Sequence, residues 1–484
     1  MKRVIGVVVV TFCLVLASCG GGGGSTSATT PSTVTIPLTN PVRSVSSLSS
    51  SGYPGEAVSC TIDGQKRWLD DYMADQYFWN ANRATPNASA TTLDAYFQSQ
   101  LYVPTDRYSY TQAIAAFTQF FTEGTRTGYG YSLAFSDATQ TKLQIRLIEP
   151  ASPAAAAGLQ RGDTVLAIDG FSPASIVNGS LTVVTTAGIT RTFSLENAAG
   201  VQRTVNVVSR NFPLSPVLTD KVLTAANNAK VGYLAYQEFT NLSLVPLGAA
   251  FNRFRAAGVT ELIVDLRYNG GGSVAVARAL ASMMGGTPVD GKVFASLRFN
   301  AQNAFNDFDY PFTASAAALP AAPLAGLTQV FFITSYNTAS ASELVINSLF
   351  PFKKVVTVGA STFGKPYGFL PISSCDTVYN AVNFETFNAL GAGRYASGLP
   401  ATCAVADDLS KALGDPAERR TAAALGYIQN NACPALAFNP AGDLQAKSLN
   451  DQSMQDASVA NGVAVRRFLE PAFGELSQPG MKAD

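Results

Sequence analysis

The segment YNTASASEL, residues 336–344, decides how the rest of this chain is interpreted. It separates two apolar runs, VFFIT at 330–334 and LVINSLF at 344–350, so a strand is predicted to end and a helix to begin at its serines. A hydroxyl at such a junction projects from a turn, where the free N–H groups of the helix N-terminus face a developing anion. Ser340 is therefore a candidate nucleophile. Taken alone, the segment also fits helix capping by Thr338, Ser340 or Ser342.

The absence of histidine restricts the chemistry of such a serine. None of the 484 residues is histidine, which excludes Ser-His-Asp triads, histidine-ligated zinc and HExxH metalloproteases. The segment TFGKPYG at 362–368 offers another base, because it places Lys365 in a glycine-flanked loop soon after a strand candidate. An amine held in an apolar pocket has a lowered pKa and can act as a general base. A solvated loop lysine is the alternative.

A glycine-rich turn upstream offers the third part of a catalytic site. The segment DLRYNGGG at 265–272 follows an apolar strand candidate, and its glycines allow the backbone to approach a ligand closely. The N–H group of Gly271, or that of Gly272, could pair with the N–H of Ala341 to form an oxyanion hole. The alternative is a tight turn without a catalytic role.

Two segments near the middle of the chain resemble a PDZ domain. They are GYGYSLAF at 128–135 and SPAAAAGLQRGDTVLAIDG at 152–170, which combine a glycine loop before a strand with a short helix and a glycine turn. The resemblance implies that backbone N–H groups around Gly128, Tyr129, Gly130 and Tyr131 bind a peptide's terminal carboxylate, while the following strand accepts the peptide. An unrelated small β domain is the alternative.

Together, these segments resemble the carboxy-terminal processing (tail-specific) protease family, Ser-Lys peptidases related to the tricorn core. In that family the lysine follows the nucleophile by 25 positions, which selects Ser340 with Lys365. The segment DRYSY at 106–110 is also similar to one in the family. The resemblance implies a serine endopeptidase without metal or cofactor, whose substrates are unfolded or C-terminally tagged polypeptides captured through the PDZ domain.

The chain departs from the family pattern at two positions. Family members orient the lysine with an aspartate or a glutamine, and this chain has Pro351 and Phe369 at those positions. A catalytically weak or inactive peptide-binding lipoprotein is therefore the second functional hypothesis. The segment 375–405 interrupts the core pattern and is expected to be an insertion that could cover the cleft.

Composition and periodicity predict a multidomain α/β protein. Strand candidates at 231–236, 262–266, 330–334 and 355–358 alternate with helix candidates at 245–257, 274–284 and 340–350. The resemblance identifies this part as a crotonase-like, tail-specific protease core. The predicted divisions are a lipoprotein signal peptide at 1–19, a flexible tether at 20–52, a helical module at 53–120, a PDZ-like domain at 124–210 and the peptidase core at 212–475.

The N-terminus and the cysteines predict an exported protein. A basic start, an apolar run and the sequence LASC at 16–19 resemble a lipoprotein signal peptide with its lipobox. Cys19 is therefore expected to carry a lipid that anchors the chain in a membrane of the bacterial cell envelope. By resemblance this is the outer membrane, with the protein facing the periplasm or the exterior. An ordinary secretory signal is the alternative. Cys13 leaves with the signal peptide, so in an oxidising compartment the four remaining cysteines are disulfide candidates, with free thiols as the alternative. They are Cys60, Cys375, Cys403 and Cys433, and all three pairings are open, including Cys375 with Cys403 and Cys60 with Cys433.

The charge balance bears on the partners of the protein. Lysine plus arginine and aspartate plus glutamate both number 33, and no basic run is present. A nucleic-acid partner is therefore not expected. The expected partners are polypeptides and, through the lipid, a membrane.

Overall fold

The structure is a computed structural model that describes residues 57, 59–136 and 141–435, together with the backbone of 481–482. The predicted signal peptide, Cys19 and the predicted tether lie outside the described residues. None of the helices that the structure describes is both long enough and apolar enough to cross a bilayer.

Helices and strands are distributed along the whole of the described chain. The α-helices are α1 Ile62–Gln76, α2 Leu93–Gln98, α3 Ile114–Thr118, α4 Pro153–Ala156, α5 Pro173–Val177, α6 Leu244–Ala256, α7 Val274–Gly285, α8 Ala341–Leu349 and α9 Arg419–Asn430. The strands are β1 Tyr110–Ala113, β2 Thr125–Gly128, β3 Tyr131–Phe135, β4 Leu143–Ile148, β5 Thr164–Ile168, β6 Thr190–Glu196, β7 Gln202–Val208, β8 Arg210–Pro213, β9 Val217–Thr224, β10 Lys230–Tyr236, β11 Glu261–Asp265, β12 Gly272–Ser273, β13 Val293–Phe299, β14 Phe308–Pro311, β15 Gln329–Thr334, β16 Lys354–Gly359, β17 Tyr367–Phe369, β18 Ile372–Ser374, β19 Thr377–Asn380, β20 Val382–Phe387, β21 Cys403–Ala404 and β22 Met481–Lys482.

A six-stranded sheet with the order β21-β16-β15-β11-β10-β9 forms the centre of the α/β part. Its strands β10, β11, β15 and β16 run parallel, and β9 closes one edge in the antiparallel direction. Successive side chains of a strand point to opposite faces, so Leu262 and Val264 join the core that holds α6, α7 and α8, while Ile263 joins the core that holds α9. The predicted alternation of strands and helices is confirmed.

Much of the segment 375–405 is built into the sheets of the fold. Its strand β19 pairs with β1 and β18, and β20 pairs with β13 and β17. The reason is its alternating apolar pattern, which buries Val378, Val382 and Phe384. The expectation that this segment could cover the cleft stays a prediction.

The N-terminal helices share a hydrophobic core with these strands. Trp68, Leu69 and Tyr72 of α1 are buried in one cluster with Tyr379 of β19, and the rings of Trp68 and Tyr379 lie 5.5 Å apart. The predicted helical segment 53–120 also contains the strand β1, which the helical spacing of its aromatics did not indicate. Further along the chain, residues 131–208 form a five-stranded antiparallel sheet with the order β3-β4-β5-β6-β7 and their own apolar core.

Four of the six cysteines form two disulfides, Cys60–Cys375 and Cys403–Cys433. Both pairings that the sequence analysis named, Cys375 with Cys403 and Cys60 with Cys433, are therefore wrong. The two cysteines of the segment 375–405 belong to different sheets, because Cys375 lies in the turn between β18 and β19 whereas Cys403 starts β21 beside β16. Each cysteine consequently pairs with a neighbour in space, which sequence distance did not reveal.

A buried carboxyl group connects the five-stranded sheet to the chain that enters the α/β part. Glu149 follows β4, and its side chain accepts hydrogen bonds from Gln237 Nε2 at 2.8 Å and from the N–H of Ser215 at 3.2 Å. Burial raises the pKa of Glu149 to about 7, against the opposing effect of those hydrogen bonds and of Arg126. The folded protein therefore favours the neutral carboxyl group.

We expect Glu149 to make stability fall as pH rises. A carboxyl group whose pKa is raised on folding contributes stability that is complete below its unfolded value and is lost as pH rises through the folded value. Glu149→Gln removes this dependence. The free energy of unfolding of the variant minus that of the parent should therefore rise by about 2–3 kcal/mol from pH 5 to pH 8.

Urea denaturation at one-unit pH steps measures this difference. Glu123→Gln, at an exposed position, is the matched control and should give a difference that is constant with pH. A constant difference for Glu149→Gln as well would contradict the assignment.

Candidate active site

Ser340 lies in a strained turn between β15 and α8. Its backbone has φ of 58° and ψ of −118°, a left-handed conformation that residues other than glycine rarely adopt. The side chain is buried, and Oγ has no hydrogen-bond partner within the described part of the chain. Such strain persists only where the surroundings enforce it, and it concentrates at functional sites.

The neighbouring hydroxyls of the same segment have structural roles. Thr338 Oγ1 donates to the carbonyl of Leu266 at 2.7 Å, and Ser342 Oγ donates to the carbonyl of Asn269 at 3.1 Å. Both bonds tie the serine segment to the loop after β11. Of the three hydroxyls that sequence left open as helix caps, only that of Ser340 lacks a hydrogen-bond partner among the described residues.

Glu343 joins the serine turn to the lysine loop. Its Oε2 accepts the N–H of Ser340 at 2.9 Å and the N–H of Lys365 at 2.8 Å. Its Oε1 accepts the N–H of Gly364 at 2.7 Å and the hydroxyl of Thr362. Because the N–H groups of Ser340 and Lys365 converge on one oxygen atom, the two main chains lie side by side.

The environment of this carboxylate is dry and rich in donors. Burial raises the pKa of the Glu343 carboxyl, while hydrogen bonds from Thr362, Lys365, Gly364 and Ser340 favour its ionised form and oppose that rise. The sequence analysis missed Glu343. Its position three residues after Ser340 is the spacing of a capping box, which was the available signal.

Lys365 is fully buried, so the alternative of a solvated loop lysine is wrong. Its Nζ lies 3.4 Å from the centre of the Phe369 ring and 5.8 Å from that of Tyr108. The hydroxyl of Tyr108 donates to the carbonyl of Gly364 at 2.7 Å, so this residue of the DRYSY segment also supports the lysine loop. The sequence motifs indicate no role for Tyr108, and they mark Phe369 only as the residue that replaces a polar partner of the lysine.

The glycine turn packs against the nucleophile candidate. A β-carbon on Gly271, whose φ is 111°, would lie 2.8 Å from Cβ of Ser340 and 3.0 Å from the nitrogen of Ala341, so only glycine fits. The Gly271 N–H, however, donates to Oδ1 of Asn269 at 2.8 Å. The expectation that this N–H is open to an oxyanion needs correction for this state, because a side chain that the sequence analysis did not consider occupies it. Gly272 is next in the chain and begins β12.

An ion-pair network around Arg267 stabilises the loop that leads into the glycine turn. The buried Arg267 guanidinium contacts Asp265 at 2.8 Å, Glu418 at 2.9 Å and Asp407 at 2.6 Å. Burial would raise the pKa of the Asp407 carboxyl, but Arg267 and its neighbouring arginines hold that pKa well below its usual range. Arg161, from the turn between α4 and β5, reaches the same network through the hydroxyl of Tyr268 at 2.7 Å.

These carboxylates are neutralised by arginine rather than arranged for a cation. Within the described ranges, no group of three or more cysteine, aspartate or glutamate side chains is placed to hold a metal ion.

The predicted carboxylate-binding loop lies between β2 and β3. Tyr129 and Tyr131 are buried in the core of the five-stranded sheet, and the carbonyl of Gly130 accepts the N–H of Glu149 at 2.9 Å. A β-carbon on Gly130 would lie 2.0 Å from Cβ of Ser152. The loop is thus fixed against the start of α4, while the peptide-binding role of Gly128–Tyr131 stays a prediction.

Comparison with known proteins agrees with the motif analysis. Residues 230–373 match peptidase family S41. This S41 region contains Ser340, Glu343, Lys365 and the glycine turn. The resemblance that the motifs indicated is confirmed, and it is a resemblance to peptidases.

Individual relatives show the extent of the similarity. The carboxyl-terminal-processing protease of a Picosynechococcus species is 28% identical over 247 residues, which are 50% of this chain and 55% of that protein. That of a Synechocystis species is 28% identical over 250 residues, or 51% and 55%. The chain spans about half the length of the curated relatives it matches. A solved candidate S41 protease from Bacteroides fragilis is 26% identical with a TM-score of 0.61, over 75% of this chain and 97% of that one.

We expect Glu343→Gln to destabilise the S41 region. The amide offers one acceptor oxygen, and its NH₂ group would face hydrogen-bond donors that the carboxylate now satisfies. Unsatisfied buried donors cost about 1–3 kcal/mol each, so the free energy of unfolding should fall by roughly 2–4 kcal/mol. Urea denaturation measures the loss.

Glu385→Gln is the matched control for this substitution. Glu385 pairs at 3.3 Å with an exposed arginine, Arg394, and solvent screens such a pair, so this variant should lose much less stability than Glu343→Gln. If both variants lost equally little, Glu343 would not hold the two loops together.

Proposed function

We propose that this protein is a serine endopeptidase in which Ser340 is the nucleophile and Lys365 the general base. The observation that carries the proposal is the shared carboxylate of Glu343, which binds the main-chain N–H of both residues through one oxygen. The similarity to S41 peptidases supports it. Because Oγ of Ser340 has no hydrogen-bond partner in this state among the residues that the structure describes, the proposal requires the amine of Lys365 to approach Oγ before proton transfer. Lys365 then acts as the general base, the role that histidine has in Ser-His-Asp triads.

The reaction follows from these two groups. The neutral amine of Lys365 removes the proton of Ser340 as Oγ attacks the carbonyl carbon of the substrate. The resulting ammonium returns that proton to the departing amine when the peptide bond breaks. Water then hydrolyses the acyl-serine ester with Lys365 again as base, which restores the serine and releases the acid.

Backbone N–H groups are proposed to stabilise the tetrahedral intermediate. Ala341 is the first residue of α8, so its N–H has no acceptor within the helix. The second donor is Gly271 or Gly272. Use of the Gly271 N–H requires the side chain of Asn269 to release it, and we propose that substrate binding brings about this change.

The five-stranded sheet is proposed to act as a PDZ-like unit that captures substrate C-termini. In the described part of the chain, β3 is at an edge of this sheet and directly follows the loop Gly128–Tyr131. An edge strand can accept a peptide as an additional strand. Unfolded or C-terminally tagged polypeptides are therefore the proposed substrates.

The cellular site of action is also a proposal. A lipid on Cys19 would anchor the protein in the bacterial cell envelope, with the outer membrane as the expected location and the periplasm or the exterior as the side it faces. The disulfides Cys60–Cys375 and Cys403–Cys433 suit an oxidising compartment.

A peptide-binding lipoprotein without activity is the second candidate. Two observations favour it: the N–H of Gly271 is occupied by Asn269, and Ser340 is fully buried. In that case the PDZ-like unit would still bind C-terminal peptides, and no variant would change proteolysis.

We expect a chain beginning near Ser25 to cleave an unfolded protein such as casein. Ser340→Ala removes the nucleophile and Lys365→Met the base, so each should lower the rate at least about 1,000-fold. Ser342→Ala removes only the hydrogen bond to Asn269 and should lower it less than about 10-fold, which makes it the matched control. Release of peptides, followed by gel electrophoresis and mass spectrometry, measures the rates.

The pattern of loss separates the candidates. Equal loss in Ser340→Ala and Ser342→Ala would indicate a structural effect and contradict the assignment of the nucleophile. A parent chain that is inert on several unfolded substrates yet binds C-terminal peptides would identify the binding protein.

A further inference from the structure

We propose that the aromatic face of Phe369 positions the amine of Lys365 and stabilises the positive charge that forms on it during catalysis. This inference rests on the proposed function, because it assigns a role within the same reaction. It makes Phe369 a positioning residue, one that acts through the lysine and does not contact the substrate.

The geometry places the amine directly on the ring. Nζ of Lys365 lies 3.4 Å from the centre of the Phe369 ring, well inside the distance of about 6 Å at which cation–π attraction is significant. The ring is itself immobilised, because Phe369 is buried in β17 and packs edge-on against Tyr110 at 5.7 Å. A flexible side chain is thus held against a rigid surface.

Tyr108 forms the second wall of the amine pocket. Its ring lies 5.8 Å from Nζ of Lys365, and its own main-chain N–H donates to Oδ1 of Asp106 at 2.9 Å. With the hydrogen bond from its hydroxyl to Gly364, Tyr108 supports the lysine loop in addition to Glu343. Glu343 therefore holds the main chain of Lys365, and two rings lie beside the end of its side chain.

The ring has a directional effect on proton transfer. A ring face attracts a cation through its quadrupole, whereas a neutral amine gains much less from it. When Lys365 accepts the proton of Ser340, its charge develops against the Phe369 face in a dry pocket, where such attraction is strongest. The ring thus favours the protonated product of the first step over the neutral amine, which is how a group can assist a transition state.

A series of fluorinated phenylalanines at position 369 tests this role. Successive fluorine atoms on the ring weaken the attraction for a cation but change the shape of the side chain very little. We expect the plateau of kcat at high pH to fall stepwise along the series, by about 2- to 30-fold in total. The acid limb of the pH-rate curve should move to lower pH, because a less stabilised ammonium loses its proton more easily.

The matched control is the same series at Phe384. This ring is buried in β20, which pairs with β17, and it packs against the ring of Phe299 with the ring centres 5.5 Å apart. Fluorination there should change neither the plateau nor the pH midpoint. Equal effects at the two positions, or none at position 369, would overturn the proposal.

A readout without turnover separates this proposal from the peptidase proposal. In protein labelled with ¹⁵N at lysine Nζ, the signal of Lys365 is the one lost in Lys365→Met, and its titration midpoint can be followed by NMR. We expect that midpoint to move to lower pH along the series at position 369 even if no substrate is cleaved. An unmoved midpoint in an active protease would refute the role of the ring and leave the peptidase proposal intact.

Discussion

The carboxylate of Glu343 is a buried charge that the structure can keep only by surrounding it with donors. Four donors meet it, from the start of α8 and from the loop that carries Lys365. Loss of any of these contacts would leave a carboxylate or an N–H group unsatisfied in a dry interior, which is costly. The requirement to satisfy this one group therefore fixes the distance between the two main-chain segments from which the proposed chemistry arises.

Contacts from three other parts of the molecule also hold the loops of this site in place. Arg267 and its carboxylates hold the loop after β11, which supplies the glycine turn beside Ser340. Tyr108 brings the N-terminal segment against the lysine loop. Arg161 connects the five-stranded sheet to the same loop after β11 through Tyr268. Three regions that are distant in sequence thus meet at one site, which explains why the residues of the site do not cluster along the chain.

Sequence alone was sufficient where a local pattern determines the structure. The strands around Val264 and Phe332 and the helix that begins at Ala341 follow from apolar runs and turn residues, and the spacing of Ser340 and Lys365 follows from family motifs. The remaining features depend on contacts between distant segments. The pairing of Cys60 with Cys375 and the approach of Tyr108 to Lys365 require the sheet order, which periodicity does not encode.

Single residues at the site were harder to predict for a physical reason. An asparagine in a glycine turn normally indicates only the turn, so the sequence indicates no other role for Asn269. Only the folded structure shows that its Oδ1 accepts the N–H of Gly271. Phe369 was interpreted by what it replaces. In the structure its ring contacts the amine of Lys365, a role that the family pattern does not indicate.

The most direct measurement is the reaction of the folded protein with an alkyl fluorophosphonate, followed by peptide mapping with mass spectrometry. The account predicts one covalent adduct, on Ser340, which forms far more slowly when Lys365 is replaced by methionine. An adduct on Ser342 or another serine, or labelling of Ser340 that is as fast without the lysine, would contradict the central claim that these two residues form one catalytic unit.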